Sequence, residues 1–182
     1  MRMEVKVADS KQDSALKTQS AEVVLGSMYE QYYDRIVRYI FVRISDQSEA
    51  ENLGGDVFLR ALESLKSFKG RPEQMRGWLF KIAHNLVIDH VRKMSKRRVI
   101  SIDKVEIVDK LDVEEAVDTN LQIEQLSKAL RYLTPAQREV IGLRFFGGLS
   151  SDEVGKILGK SSGAVREMQR EAVESLRKQM RL

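Results

Sequence analysis

Proline occurs only twice in the 182 residues, at Pro72 and Pro135. Proline lacks a backbone donor and clashes with the turn before it, so it interrupts helices. A chain almost free of it can run long helices, and the apolar residues are spaced for them. Val24, Leu25, Met28, Tyr32, Ile36, Val37, Ile40 and Ile44 recur at the three- and four-residue intervals of one helix face. The strand signal, alternation of β-branched and polar residues, is nearly absent. The chain reads as all-α.

Caps and composition divide it. Residues 1–22 are polar and read as a loose tail. A first helical domain spans 23–98. Within it, Ser48 followed by Glu51 is a capping-box pattern that starts a helix through AENLGGDVFLRAL, residues 50–62. Two adjacent glycines, Gly54 and Gly55, stand in that helix, each costing roughly 0.5–1 kcal/mol relative to alanine. The stretch Phe68 to Gly77 reads as a loop and Trp78 to Arg98 as a helix. Residues 99–122 are acidic and poor in aromatics and read as a linker. A second domain spans 123–182. There Thr134-Pro135 is an N-cap with proline at the first helical position, Ser150 and Glu153 form a capping box, Gly159 closes a short helix, and Ser161 or Ser162 caps the last one.

Several function classes lack a footing. There are no cysteines, hence no disulfide, thiolate site or cysteine nucleophile, which suits a reducing cytoplasm. No apolar run approaches the ~20 residues of a membrane span, and the N-terminus has no signal-peptide core. His84 and His90 do not share a face at metal-ligand spacing, and Gly54-Gly55 lacks the lysine of a phosphate-binding loop. No metal, cofactor or catalytic constellation is expected, and the chain does not read as an enzyme. The net charge of +4 is modest; its placement matters more.

Two segments carry chemistry. LSSDEVGKILGKSSGAVREMQREAVESL, 149–176, is a short helix, a turn and a longer helix. Val154, Ile157, Leu158, Val165, Val173 and Leu176 would pack the pair against a preceding helix at Arg138–Phe146, leaving Arg166, Gln169 and Arg170 to enter a major groove. The other segment, 66–98, has ten Lys or Arg against two acids, Glu73 and Asp89. On a wheel of about 100° per residue, Trp78, Lys81, Asn85, Asp89 and Arg92 share one face. Leu79, Ile82, Ala83, Leu86 and His90 share another. A cation, a flat ring and an amide on one face suit single-stranded DNA, although a buried tryptophan beside a solvated basic stripe accounts for the pattern equally well.

Together these residues resemble the extracytoplasmic-function (group 4) sigma factors of bacterial RNA polymerase. MYEQYYDRIVRYIFVRI resembles the start of sigma region 2, AENLGGDVFLRALESLKSFKG its polymerase-docking helix, MRGWLFKIAHNLVIDHVRK the segment that melts and reads the minus-ten element, and LTPAQREVIGLRFFGGLSSDEVGKILGKSSGAVR region 4, which reads the minus-thirty-five element. The resemblance implies a non-catalytic promoter-specificity factor. It implies as partners core RNA polymerase (the clamp of the largest subunit and the flap of the second-largest), promoter DNA and an anti-sigma factor, with no membrane insertion. Asn52, Leu53, Gly54, Gly55, Asp56, Phe58 and Arg60 would dock on the clamp. Asn85 would line the pocket for a flipped base, under a loop from Phe68 to Arg76 that includes Lys69 and Arg71. Trp78, Lys81, Arg92 and Lys93 would hold the strand. Ser161, Ser162, Ala164, Arg166, Glu167, Gln169 and Arg170 would face the minus-thirty-five element.

Two departures qualify the resemblance. Where the family usually has Asp-Leu-Thr-Gln-Glu, this chain has Asn52-Leu-Gly-Gly-Asp56. The glycines weaken polymerase docking, or let backbone approach a partner closely, or split the helix with Gly54 as C-cap and Asp56 as N-cap; the first is the leading expectation, in which case a Thr-Gln replacement tightens docking. Glu167 and Glu171 place acids in the recognition helix, where weak or unusual minus-thirty-five recognition is expected. The competing readings are a stand-alone LuxR-type helix-turn-helix regulator, which needs no single-strand face, and a sigma-like adaptor with impaired docking.

Overall fold

The computed structural model describes residues 3–68, 70–100 and 128–180, with backbone alone for 3–22, 72, 97–100 and 180. Among the described residues there is no strand. Helix α1, Met3–Ile44, contains most of the segment expected to be a loose tail. Polarity argues against burial but not against a helix, and no glycine or proline interrupts the chain before Gly26.

Helix α2, Gln47–Ser64, is capped by Asp46, whose side chain accepts from the Glu49 amide at 2.9 Å; Ser48 lies inside the first turn and is not the cap. The helix runs unbroken through Gly54-Gly55, so the expected split does not occur. A 3-10 turn at Leu65–Ser67 and another at Pro72–Gln74 lead into α3, Met75–Ile100. That helix starts three residues before Trp78, because Met75 is buried and anchors the first turn. Ile36, Tyr39 and Ile40 of α1, Val57 and Ala61 of α2, and Leu79, Phe80, Ala83 and Val87 of α3 form the core of the three-helix unit. The Phe80 ring meets Tyr32 and Tyr39 edge-on, with centroids 6.5 and 5.8 Å away.

The C-terminal unit follows its caps. Helix α4, Pro135–Ile141, begins at a complete capping box between Thr134 and Gln137. It passes into a π turn, Gly142–Phe146. Helix α5, Ser151–Leu158, opens on the Ser150–Glu153 capping box and ends at Gly159 with φ +64°, the left-handed conformation that favours glycine. Ser161 accepts from the Ala164 amide at 3.2 Å and so caps α6, Ser162–Met180. Val154 and Val165 are fully buried, as the pattern requires, and Ile157, Leu158, Val173 and Leu176 partly so.

The two units are packed together. Val140, Leu143, Leu149, Val154 and Val165 belong to the same apolar cluster as the core of α1–α3. Val42 of α1 packs with Leu130, Leu133, Ile141 and Ala172. The sequence between them, including nearly all of the expected linker, lies outside the described residues.

Candidate nucleic-acid interface

Helix α3 sorts its faces as the wheel predicts. Leu79, Ala83 and Leu86 are buried, while Lys81, Asn85 and Arg92 are exposed. Trp78 is half-buried: it packs on the edge of the core and against Phe68, ring centroids 4.7 Å apart at 35°. The pair forms an aromatic step at the start of the basic face. Arg92 pairs with Asp89 at 3.0 Å, but both are exposed, and such a pair holds the guanidinium only weakly. Lys93 is exposed beside a groove between α2 and α3 that Glu49, Asp56 and Asp89 also line. Arg71 is exposed, its amide held by Gln74 Oε1 at 2.9 Å; Lys69 lies outside the described residues. Arg76 is not at the loop tip. It starts α3 and reaches Glu153 of α5 at 3.3 Å. His90, read as a core residue, is only partly buried and pairs through Nδ1 with Glu49 at 3.1 Å.

Helix α2 divides the residues expected to dock. Asn52, Asp56 and Arg60 are exposed and Gly55 partly so, but Leu53, Gly54 and Phe58 are buried. A Cβ on Gly54 would stand 2.8 Å from Val37 Cγ2 and 3.5 Å from the Tyr33 ring; at Gly55 it would meet nothing within 4 Å. Gly54 therefore serves the approach of α1 to α2, and only Gly55 is on the outer surface. The outer face also carries Leu59 and Leu62, 60% and 51% exposed, which the sequence reading passed over. Their intervals of four and seven from Gly55 were the available signal.

On α6, Ala164, Arg166, Glu167 and Arg170 are exposed, with Ser162 and Gln169 half-buried. Arg144, Arg166, Gln169, Arg170 and Arg177 surround one open groove. Arg144 and Arg177 were not anticipated; Arg144 is a lone cation in an apolar stretch, and Arg177 sits seven residues beyond Arg170. Arg144 donates through Nε to Gln169 Oε1 at 2.8 Å and also bonds the Leu149 carbonyl. Glu167 meets Arg170 at 2.6 Å, and Arg170 also reaches Glu174 at 3.6 Å. The hydrogen bond and charge of Arg170 hold the Glu167 carboxyl below its ordinary range. Glu171 instead leans toward Gln137 of α4, 3.5 Å away.

The seam between the two units is polar at its centre. Glu139 of α4 is only 8% exposed. Its carboxylate accepts from the Tyr39 hydroxyl at 3.1 Å and meets Arg43 at 3.3 Å and His84 Nδ1 at 2.5 Å. Burial pushes that carboxyl up, but the hydrogen bond from His84, the charges of Arg43 and His84 and the hydrogen bond from Tyr39 outweigh it and hold it below the ordinary glutamate range. Burial, with Glu139 alongside, drives the Tyr39 hydroxyl well above its usual value. Arg35 Nε donates to the Phe146 carbonyl at 2.6 Å, and Arg43 Nη1 to the Pro135 carbonyl at 2.7 Å. Among the described residues no cluster of three or more His, Asp or Glu is grouped to hold a metal, and no helix is long and apolar enough to cross a membrane.

The sigma-70 region 2 model matches residues 28–98, and the sigma-70 region 4 model matches 129–178. The ECF RNA polymerase sigma factor BldN of Streptomyces coelicolor is 36% identical over 156 residues, covering 83% of this chain and 58% of its own length. The RNA polymerase sigma factor YlaC of Bacillus subtilis is 33% identical over 156 residues, covering 84% of this chain and 90% of its own. Among solved structures, the sigma factor RpoE of Bartonella quintana, crystallised with the anti-sigma factor NepR, superposes with a TM-score of 0.74 at 22% identity, over 86% of this chain and 96% of that one. CnrH, solved with the cytosolic domain of CnrY, superposes at 0.66 and 20% identity, over 92% and 94%. These two likenesses bear on the fold; the two matched regions and the sequence relatives carry the family. A three-helix unit with a basic, aromatic face, followed by a helix-turn-helix, is thus the two-region plan of a known group, and the chain belongs to the ECF sigma factors of RNA polymerase.

Proposed function

We propose that the chain lends promoter specificity to core RNA polymerase and works by binding rather than by catalysis, in the cytoplasm. The observation that carries this reading is the solvent face of α3. There Asn85 stands exposed between Lys81 and Arg92, beyond the Phe68–Trp78 step, in a chain that also presents an arginine-lined groove on α6. The aromatic step stacks an unpaired base, the amide reads its edge, and the cations follow the backbone. Extruding one base costs a few kcal/mol, which a preformed pocket offsets. The groove of α6 reads duplex: Arg166, Gln169 and Arg170 toward base edges and phosphates, Arg144 and Arg177 toward the backbone. The outer face of α2, with Asn52, Gly55, Asp56, Leu59 and Arg60, meets the polymerase clamp. A duplex-binding regulator of the LuxR type would leave the α3 face without a role.

The test is promoter-dependent transcription by core polymerase with this chain, and with Asn85→Ala. Initiation from defined start sites by the wild type, and loss of strand opening by Asn85→Ala with polymerase binding intact, is the expected result. No polymerase binding by the wild type, with retained duplex binding, would overturn it.

A further inference from the structure

Helix α6 carries acids among its arginines, and they are not placed alike. Glu171 leans away, toward Gln137 of α4 at 3.5 Å. Glu174 lies further along, 3.6 Å from Arg170 and 3.1 Å from Lys178. Glu167 stands near the start of the helix, the part that meets base edges when a recognition helix enters the major groove. It is exposed, and it directly follows the exposed Arg166.

A bare carboxylate at that point would repel phosphate. This one is gripped. Arg170 donates to it twice, from Nε to Oε2 at 3.2 Å and from Nη2 to Oε1 at 2.6 Å. Two parallel bonds fix direction as well as charge. Arg170 is steadied in turn by Glu174, and Glu174 by Lys178. A single exposed pair contributes little, whereas two-pronged geometry within a network of charges holds its shape. The guanidinium also offsets the negative charge locally, so the helix can approach DNA. The hydrogen bond and charge of Arg170 keep the Glu167 carboxyl below its ordinary range, so at neutral pH it is ionised, accepting hydrogen bonds and donating none.

An acceptor-only group discriminates among base edges. In the major groove guanine and thymine present acceptors, adenine presents an N6 donor beside its N7 acceptor, and cytosine presents its N4 donor alone. Against adenine the second carboxylate oxygen would face N7, lone pair to lone pair. Cytosine has no such conflict.

We propose that Glu167, aimed by Arg170, reads a cytosine in the minus-thirty-five element. Arg170 is then a positioning residue for this contact. The inference rests on the promoter-factor reading for the place of the duplex, and it gives Glu167 the opposite role to simple repulsion. The full chain, alone on random duplexes and with core polymerase on promoters randomised in that element, is put through rounds of selection and the bound DNA is sequenced. The wild type should enrich cytosine about tenfold at one position, a usual ratio for one base pair. Glu167→Gln should move that position to adenine, because an amide pairs with both N6 and N7. Arg170→Met should flatten the same position at unchanged helix content, and Arg170→Lys should restore part of it. Glu167→Ala tightening binding to all sequences alike, or Glu167→Gln keeping the wild-type preference, would overturn the assignment. A chain that joins no polymerase, yet selects cytosine on bare duplex and shifts with Glu167→Gln, would count against the promoter reading and leave the assignment standing. A chain that selects no duplex in either arm would overturn both.

Discussion

Helix α1 is packed in two different ways along its length. Toward α2 and α3 it presents Ile36, Val37 and Ile40 to an apolar interior, and bare Gly54 lets α2 lie close against Val37 and Tyr33. Toward α4 and the π turn it presents Arg35, Tyr39 and Arg43, and a glutamate fills the gap. Beside that polar stripe, Val140, Leu143, Leu149, Val154 and Val165 join the common apolar cluster, and Val42 packs with Leu130, Leu133, Ile141 and Ala172. The first contact excludes water and is lost only on unfolding. The second combines apolar packing with charged groups and carbonyls, and only that polar part is made of groups that water will accept again.

The sharpest way to break this comparison is to damage each side in turn. Phe80→Ala empties the apolar side and should cost about 3–5 kcal/mol, the usual penalty for a buried phenylalanine; thermal unfolding should show the N-terminal unit melting first. Glu139→Gln should instead leave two units that melt separately near their own temperatures. Next in size is Gly54→Thr, which pushes a Cβ into Val37 and should cost about 1–3 kcal/mol by overpacking. Gly55→Gln, one residue on, should leave stability equal to wild type or raised by up to about 1 kcal/mol and tighten polymerase binding. This separates what the sequence suggested was a single defect: Gly54 answers to the fold and Gly55 to the docking surface.

A pH titration sharpens the seam. The folded Glu139 carboxyl lies below the ordinary glutamate value, so its ionised form stabilises closure. That contribution is fully present above the unfolded value and is lost as pH falls through the lowered folded one. Interdomain energy transfer should therefore hold steady as pH drops to the ordinary glutamate range and decline below it, and Glu139→Gln should remove that step. The smallest effect belongs to Arg76→Ala. Its pair with Glu153 is about one-third exposed on both sides, worth no more than about 1 kcal/mol after screening, and its loss should be felt mainly at low salt.

The caps at Thr134 and Ser150 and the glycine stop at Gly159 were legible because each is a local motif with its own hydrogen bonds. So was the two-faced α3, because helical period and burial agreed. Ser48 misled because it also fits a capping box, whereas Asp46 provides the bond. The placement of Gly54 was invisible because it depends on how closely α1 lies. The seam was invisible for the same reason at larger scale: Glu139 lies 100 residues from Tyr39 and 55 from His84, and no periodicity links them.

The most direct test of the account uses the absence of cysteine. Glu73→Cys and Asp152→Cys, exposed positions flanking the Arg76–Glu153 contact, place two dyes on either side of the joint. Energy transfer should be high in the free chain and fall sharply when core polymerase and a promoter are added. Low transfer in the free chain, or high transfer in an actively initiating complex, would contradict the account.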